Sequence, residues 1–169
     1  GSYGQWHPIS FASPASSVDE PLAVSSDGVS FFQVSPAEAE GAAIRLVEKW
    51  KPDIVHLHTA WFWPVARAIR DETRTPLVYT VHSLDRAEYE IGDFITHWDT
   101  QETVICAADR VIALSRDEQA LITKYCPAAT ERVRIVGNGI DDSVEARTAA
   151  MQKKKEDPPV ILYSGRFVD

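Results

Sequence analysis

Two apolar segments of this chain close on histidine, and the residues around those exits are its best candidates for chemistry. Residues 53–58 read DIVHLH and residues 77–82 read LVYTVH, leaving His58 and His82 at the ends. A histidine that terminates a buried strand gains little by packing. As a neutral ring it can hydrogen-bond a sugar hydroxyl or a carbonyl, or simply a neighbouring loop. His56 and His58 also form an H-x-H pair, whose side chains share one face of a strand by its two-residue period. A hydrolase that held a metal this way would need further ligands from other strands of a barrel, for which 169 residues are too few. No metal is therefore expected.

In open parallel sheets, ligands lie beyond the carboxyl ends of the strands. That rule adds Thr59 and Trp61 after the first segment, and Ser83 and Asp85 after the second. It also adds Ser115 and Arg116 after RVIALS, Asn138, Gly139 and Asp141 after VRIV, and Arg166 after VILYSG. Trp61, Phe62 and Trp63 form an aromatic cluster that suits either stacking on a sugar face or packing at a domain interface. Asn138-Gly139 marks a tight turn, with a positive φ expected at the glycine. Arg166 follows Gly165, a position from which a cation can reach a phosphate. Such an edge is polar, aromatic and only mildly charged, which suits a hydroxyl-rich ligand.

The elements that must position these residues follow from the apolar pattern. Residues 9–12 and 29–34 read as strands, separated by a Pro- and Ser-rich loop at 14–22. Ser35-Pro36-Ala37-Glu38 gives an N-cap, a proline at the first helical position and an early acid. The helix that follows carries Ala42, Ile44, Leu46, Val47 and Trp50 and stops at Lys51-Pro52. Alternation is then regular: strand 53–58, helix 62–71, strand 77–82, helix 99–108, strand 110–115. Next come a short helix 116–125 opened by a Ser115/Glu118 capping box, strand 133–136, an exposed helix 143–155 and a last strand 160–165. Short apolar runs alternating with helices predict an α/β fold, a Rossmann-like parallel sheet with helices on both faces.

Composition bounds the partners. Lys+Arg 17 against Asp+Glu 25 gives a net charge of −8, which argues against nucleic acid. The basic run Lys153-Lys154-Lys155 adjoins Glu156-Asp157 and reads as a solvated linker. No stretch approaches a membrane span, no secretory apolar region opens the chain, and a cytoplasmic location is expected. Cys106 and Cys126 are too few for a disulfide framework; Cys106 is placed in the core, on an apolar helical face. His97-Trp98 reads as surface.

The series DIVHLH, LVYTVHSL, AADRVIALSRDE, VRIVGNGID and VILYSGRFVD resembles the N-terminal half of retaining glycosyltransferases of the GT-B fold. This is the family of glycogen, sucrose and sucrose-phosphate synthases and many bacterial transferases; the resemblance covers residues 44–169. It implies transfer of a sugar from a nucleotide-sugar donor to a sugar or other hydroxyl acceptor, with retention at the anomeric carbon and no cofactor. By position, His82 would be the catalytic histidine that reaches the donor sugar, with Gly165, Arg166, Asn138 and Gly139 on the donor side. His58, Trp61, Ser83 and Asp85 would face the acceptor. Residues 1–157 would form the acceptor-side domain, without the family's opening strand and glycine-rich loop. Residues 158–169 would be the hinge and first strand of a donor domain whose remainder is missing, leaving the fragment inactive alone. The alternative is a non-catalytic Rossmann-like module that binds a ligand or partner. An oxidoreductase would need G-x-G-x-x-G between strand and helix, and the sequence has none.

Overall fold

Short β-branched segments separated by amphipathic stretches of about ten residues fold as a layered α/β structure. The computed structural model describes residues 9–11, 23–24, 28–92 and 98–139. All but the last two of these belong to a unit that ends at Gly137. A small sheet has the order β1 (Ile9–Phe11), β3 (Ser30–Val34), β2 (Ala23–Val24), with β1 parallel and β2 antiparallel to β3. Ser30, Phe32 and Val34 of β3 are buried, as the two-residue period demands.

A 3-10 turn at Pro36–Glu38 leads into α1 (Ala39–Trp50). Ser35 stands at the expected cap position, but its hydroxyl donates to the Glu38 carboxylate at 2.7 Å instead of accepting a backbone N–H. Ala39, Ala42, Ala43, Leu46 and Val47 make the buried stripe of α1. The helix ends where Lys51 turns left-handed, at φ 47°, its N–H bonded to the Val47 carbonyl at 2.8 Å. Ala43 and Val47 pack against Ile69 of α2 (Trp63–Thr73), which a 3-10 turn at Ala60–Phe62 precedes.

The principal sheet is parallel throughout, in the order β4 (Val55–Leu57), β5 (Leu77–Val81), β6 (Arg110–Ala113), β7 (Val133–Ile135). Val55 lies beside Leu77, Val78 beside Arg110 and Val111 beside Val133. Tyr79, Thr80 and Val81 are consecutive and all buried, so both faces of the sheet are covered at β5. Asp109 fixes the start of that strand: its carboxylate accepts from the Leu77 N–H at 2.8 Å, and its own N–H donates to the Leu77 carbonyl at 2.9 Å. The connections are α4 (Trp98–Ala107) between β5 and β6, and α5 (Arg116–Tyr125) between β6 and β7. The parallel Rossmann-like sheet is therefore as the apolar pattern predicts.

Four local expectations change. The segment after β5 forms a short helix, α3 (Asp85–Glu90), anchored by the buried Leu84 just before it. The capping box at α5 is half made: Ser115 Oγ accepts from the Glu118 N–H at 3.1 Å, while Glu118 Oε1 is buried with no hydrogen-bond partner. Burial, with the Glu88 carboxylate adding to it, raises the Glu118 pKa. Cys106 is exposed because Val104, Ile105 and Ala108 occupy the buried face of α4 and its end; Cys126 is the buried thiol. Gly139 does not take a positive φ, so its backbone conformation does not require glycine there. The expected loop 14–22, helix 143–155 and strand 160–165 lie outside the described residues, as do His97, Asp141, Gly165 and Arg166. Among the described residues no helix is long and apolar enough to cross a membrane.

The main core gathers Leu77, Tyr79, Val81, Val104, Ile105, Val111, Ile122 and Val133 between sheet and helices. Ile122 is fully enclosed, whereas Ile91 is 85% exposed. Ile122→Ala should cost about 2–5 kcal/mol by lost burial and the cavity left behind. Ile91→Ala should stay within about 0.5 kcal/mol. Urea unfolding of the two variants checks the contrast.

Candidate functional site

Strands β4 and β5 run side by side with Leu57 beside Tyr79, β5 continuing two residues further, and side chains near their carboxyl ends meet in diagonal pairs. His56 and Thr80 form one pair, with Nε2 and Oγ1 2.7 Å apart. His58 and His82 form the next, two residues further along each strand, with Nδ1 and Nε2 3.0 Å apart. The equal offset between partners follows from the parallel ladder, and the shared face from the two-residue period. The rings of His56 and His58 are 4.2 Å apart between centroids and those of His58 and His82 are 5.3 Å apart. In the N···N hydrogen bond one ring donates and the other keeps its lone pair, so His58 and His82 each fix the tautomer of the other.

His58 and His82 open onto a cavity of about 440 Å³ beyond the sheet edge. It is lined on one side by Thr59, Ala60, Trp61, Trp63 and Pro64, and on the other by Tyr79, Ser83, Asp85, Thr100 and Gln101. The volume falls within the range of small-molecule sites. The aromatic cluster divides its roles: Phe62 and Trp63 pack against the main core, while Trp61 is 72% exposed at the cavity.

Gln101 holds the far wall together. Its side chain is buried on α4, where Oε1 accepts from the Asp85 N–H at 2.8 Å. Nε2 donates to the Ser83 carbonyl at 2.9 Å and to the Tyr79 hydroxyl at 3.3 Å. One amide thus fixes the backbone on both sides of Leu84 and ties it to β5. Burial pushes the Tyr79 hydroxyl up to about 12, opposed by the Gln101 hydrogen bond and reinforced by the Asp85 and Glu118 charges. Tyr79 therefore presents a protonated hydroxyl at neutral pH.

Six residues singled out by position in the sequence, His58, Thr59, Trp61, His82, Ser83 and Asp85, share this one cavity. Asn138 and Gly139 are exposed after β7 and begin the second unit, and Ser115 and Arg116 lie outside the cavity's lining. Sequence reasoning missed Tyr79, Thr100 and Gln101. The signal for Gln101 was a polar residue on the same helical face as Val104 and Ile105. Among the described residues no cluster of three or more His, Cys, Asp or Glu could hold a metal ion.

Two outcomes test this geometry. Gln101→Met leaves the Asp85 N–H and Ser83 carbonyl without their partner and should destabilise the chain by about 1–3 kcal/mol, read by urea unfolding. The second concerns pH. The His56 and His58 pKa values are lowered from 6.5, chiefly by desolvation and then by the neighbouring imidazoles. Below about 6.5 the unfolded chain binds protons that the folded chain resists, so stability falls as pH drops through that value. His58→Gln should shrink the stability lost between about pH 7.5 and about pH 5.5; an equal loss in both proteins removes His58 from the linkage.

The comparisons with known proteins agree with this layout. Residues 26–144 match the model of Glycosyltransferase Family 4. A D-inositol 3-phosphate glycosyltransferase of Thermobifida fusca is 30% identical over 130 residues, covering 68% of this chain and 29% of the relative. Another, of Geodermatophilus obscurus, is 30% identical over 126 residues, covering 68% and 28%. A third, of a Nocardioides species, is 26% identical over 189 residues, covering 93% and 41%. The chain thus spans less than half the length of these relatives. The family match contains β3 through β7 and every residue that lines the cavity. By that match, over more than half its length, the chain belongs to Glycosyltransferase Family 4.

Proposed function

We propose that this chain is the acceptor-side part of a retaining GT-B glycosyltransferase that moves a sugar from a nucleotide-sugar donor to a hydroxyl acceptor. The observation that carries the reading is the cavity itself: a hydrogen-bonded imidazole pair at the carboxyl edge of a parallel sheet, facing an exposed indole across a polar wall. Trp61 offers a face for the apolar side of a sugar ring, and Ser83, Thr59 and Asp85 offer hydroxyl partners. His82 is the proposed catalytic residue, its ring oriented by His58 and directed to the donor sugar.

The donor diphosphate belongs to a second domain, of which residues 158–169 would be the hinge and first strand. Arg166 would neutralise the departing diphosphate, while Asn138 and Gly139 would stand on the donor side. Charge stabilisation of that leaving group is the largest contribution such a transfer requires. The 169-residue chain alone, with most of that clamp absent, would not turn over donor. A cytoplasmic enzyme of carbohydrate biosynthesis fits such substrates.

The test uses the intact protein that carries this chain, with UDP- and GDP-sugars as donors. Product formation with retained anomeric configuration, read by proton NMR, is expected. His82→Ala should lower kcat by about 10²-fold or more while donor binding changes little. An inverted product would refute retention, and an unchanged kcat would remove His82 from the reaction. Tight sugar binding without transfer would instead favour the non-catalytic module.

A further inference from the structure

The relatives are named for D-inositol 3-phosphate, a phosphate monoester. Recognition of a phosphate dianion ordinarily uses arginine, lysine or the free N–H groups of a helix start. Among the described residues, no arginine or lysine lines the cavity.

We propose that it takes an uncharged acceptor, a neutral sugar or cyclic polyol with one apolar ring face, and discriminates against the corresponding phosphate monoester. The inference rests on the acceptor-site reading above and narrows it to a substrate class. No Lys or Arg is among the lining residues. Residues 1–27 and 93–97 contain neither, so every Lys and Arg before residue 138 is at a described position, and each stands outside the lining. Arg86, next to Asp85, lies over the Trp98 ring at 4.1 Å and pairs with Glu90 at 3.4 Å.

N–H groups at the helix starts beside the cavity are engaged within the chain: Asp85 of α3 donates to Gln101 Oε1 and Thr100 of α4 to Asp99 Oδ1, each at 2.8 Å. The first N–H groups near α2 are already engaged: Phe62 donates to the Thr59 carbonyl at 3.3 Å, and Trp63 donates to the Ala60 carbonyl. Pro64, the next residue, has no N–H. The imidazoles add little charge. Their direct N···N bond requires one ring to keep a lone pair, so His58 and His82 together carry at most one positive charge while it persists. Asp85 contributes a carboxylate to the lining, which repels a dianion. What remains is neutral hydroxyls, an amide and the exposed indole of Trp61, which suit C–H stacking and hydroxyl hydrogen bonding.

The test is a titration of the 169-residue chain, followed by NMR of the Trp61 and Trp63 indole N–H signals. The probes are myo-inositol, its 3-phosphate, methyl glucoside and glucose 6-phosphate. Each neutral probe should shift these signals and bind roughly threefold or more tightly than its monoester at low salt. Asp85→Asn, which retains the backbone N–H held by Gln101, should narrow that ratio by tightening the monoesters more than the neutral probes. A monoester that binds more tightly than its neutral parent overturns the inference and leaves the transferase reading standing. A ratio unmoved by Asp85→Asn overturns the charge argument. Silence of both indoles to all four probes removes the acceptor-site reading and the inference with it.

Discussion

β4 pairs with β5 so that Val55 lies beside Leu77 and Leu57 beside Tyr79, and this register decides where the polar groups of the cleft stand. Because the ladder sets His56 beside Val78 and β5 continues past it, His56 and His58 reach diagonally to Thr80 and His82. A shift of one residue along β4 would turn both histidines to the opposite face. The register is in turn held at the amino end, where the Val55 N–H bonds the Pro76 carbonyl at 2.9 Å and Asp109 grips both backbone groups of Leu77. Core packing of Leu57, Leu77, Tyr79 and Val81 then makes any other alignment costly.

Much of this was legible in the sequence. Apolar runs of five or six, alternating with helices, gave the parallel sheet. The rule that ligands sit past the carboxyl ends brought six residues from two strand exits to a single cavity. What the pattern could not convey was pairing across elements. That His58 would bond His82 depends on β4 and β5 being neighbours in register, which no local period specifies. Gln101 was hidden for a similar reason: a lone polar residue in WDTQETVICA looks like ordinary helix composition until its partners at Tyr79, Ser83 and Asp85 are in place. Cys106 misled because two apolar neighbours, Val104 and Ile105, suggested a wider buried face than α4 possesses. The capping box at Ser115 formed in the half where Ser115 accepts from the Glu118 N–H, while Glu118 Oε1 stays buried without a partner.

The cleft's chemistry follows from what was buried to build it. Tyr79 and Gln101 are enclosed polar groups, and each is satisfied by the other or by backbone, so they fix the loop without presenting charge. The histidines sit nearer to water, where burial and mutual repulsion disfavour protonation of His56 and His58. A hydrogen-bonded, nearly neutral wall and an exposed indole are better matched to orienting a hydroxyl than to gripping an ion. In the proposed reaction, charge stabilisation is left to the donor side, and this half contributes position.

The most direct measurement is an experimental structure of the intact protein with nucleotide and a turnover-competent acceptor bound. The account predicts the acceptor ring over the Trp61 indole, one hydroxyl within hydrogen-bond reach of Ser83 or Asp85, and the His82 ring still against His58. An acceptor bound elsewhere, with the cavity between Trp61 and Gln101 left to solvent, would contradict it.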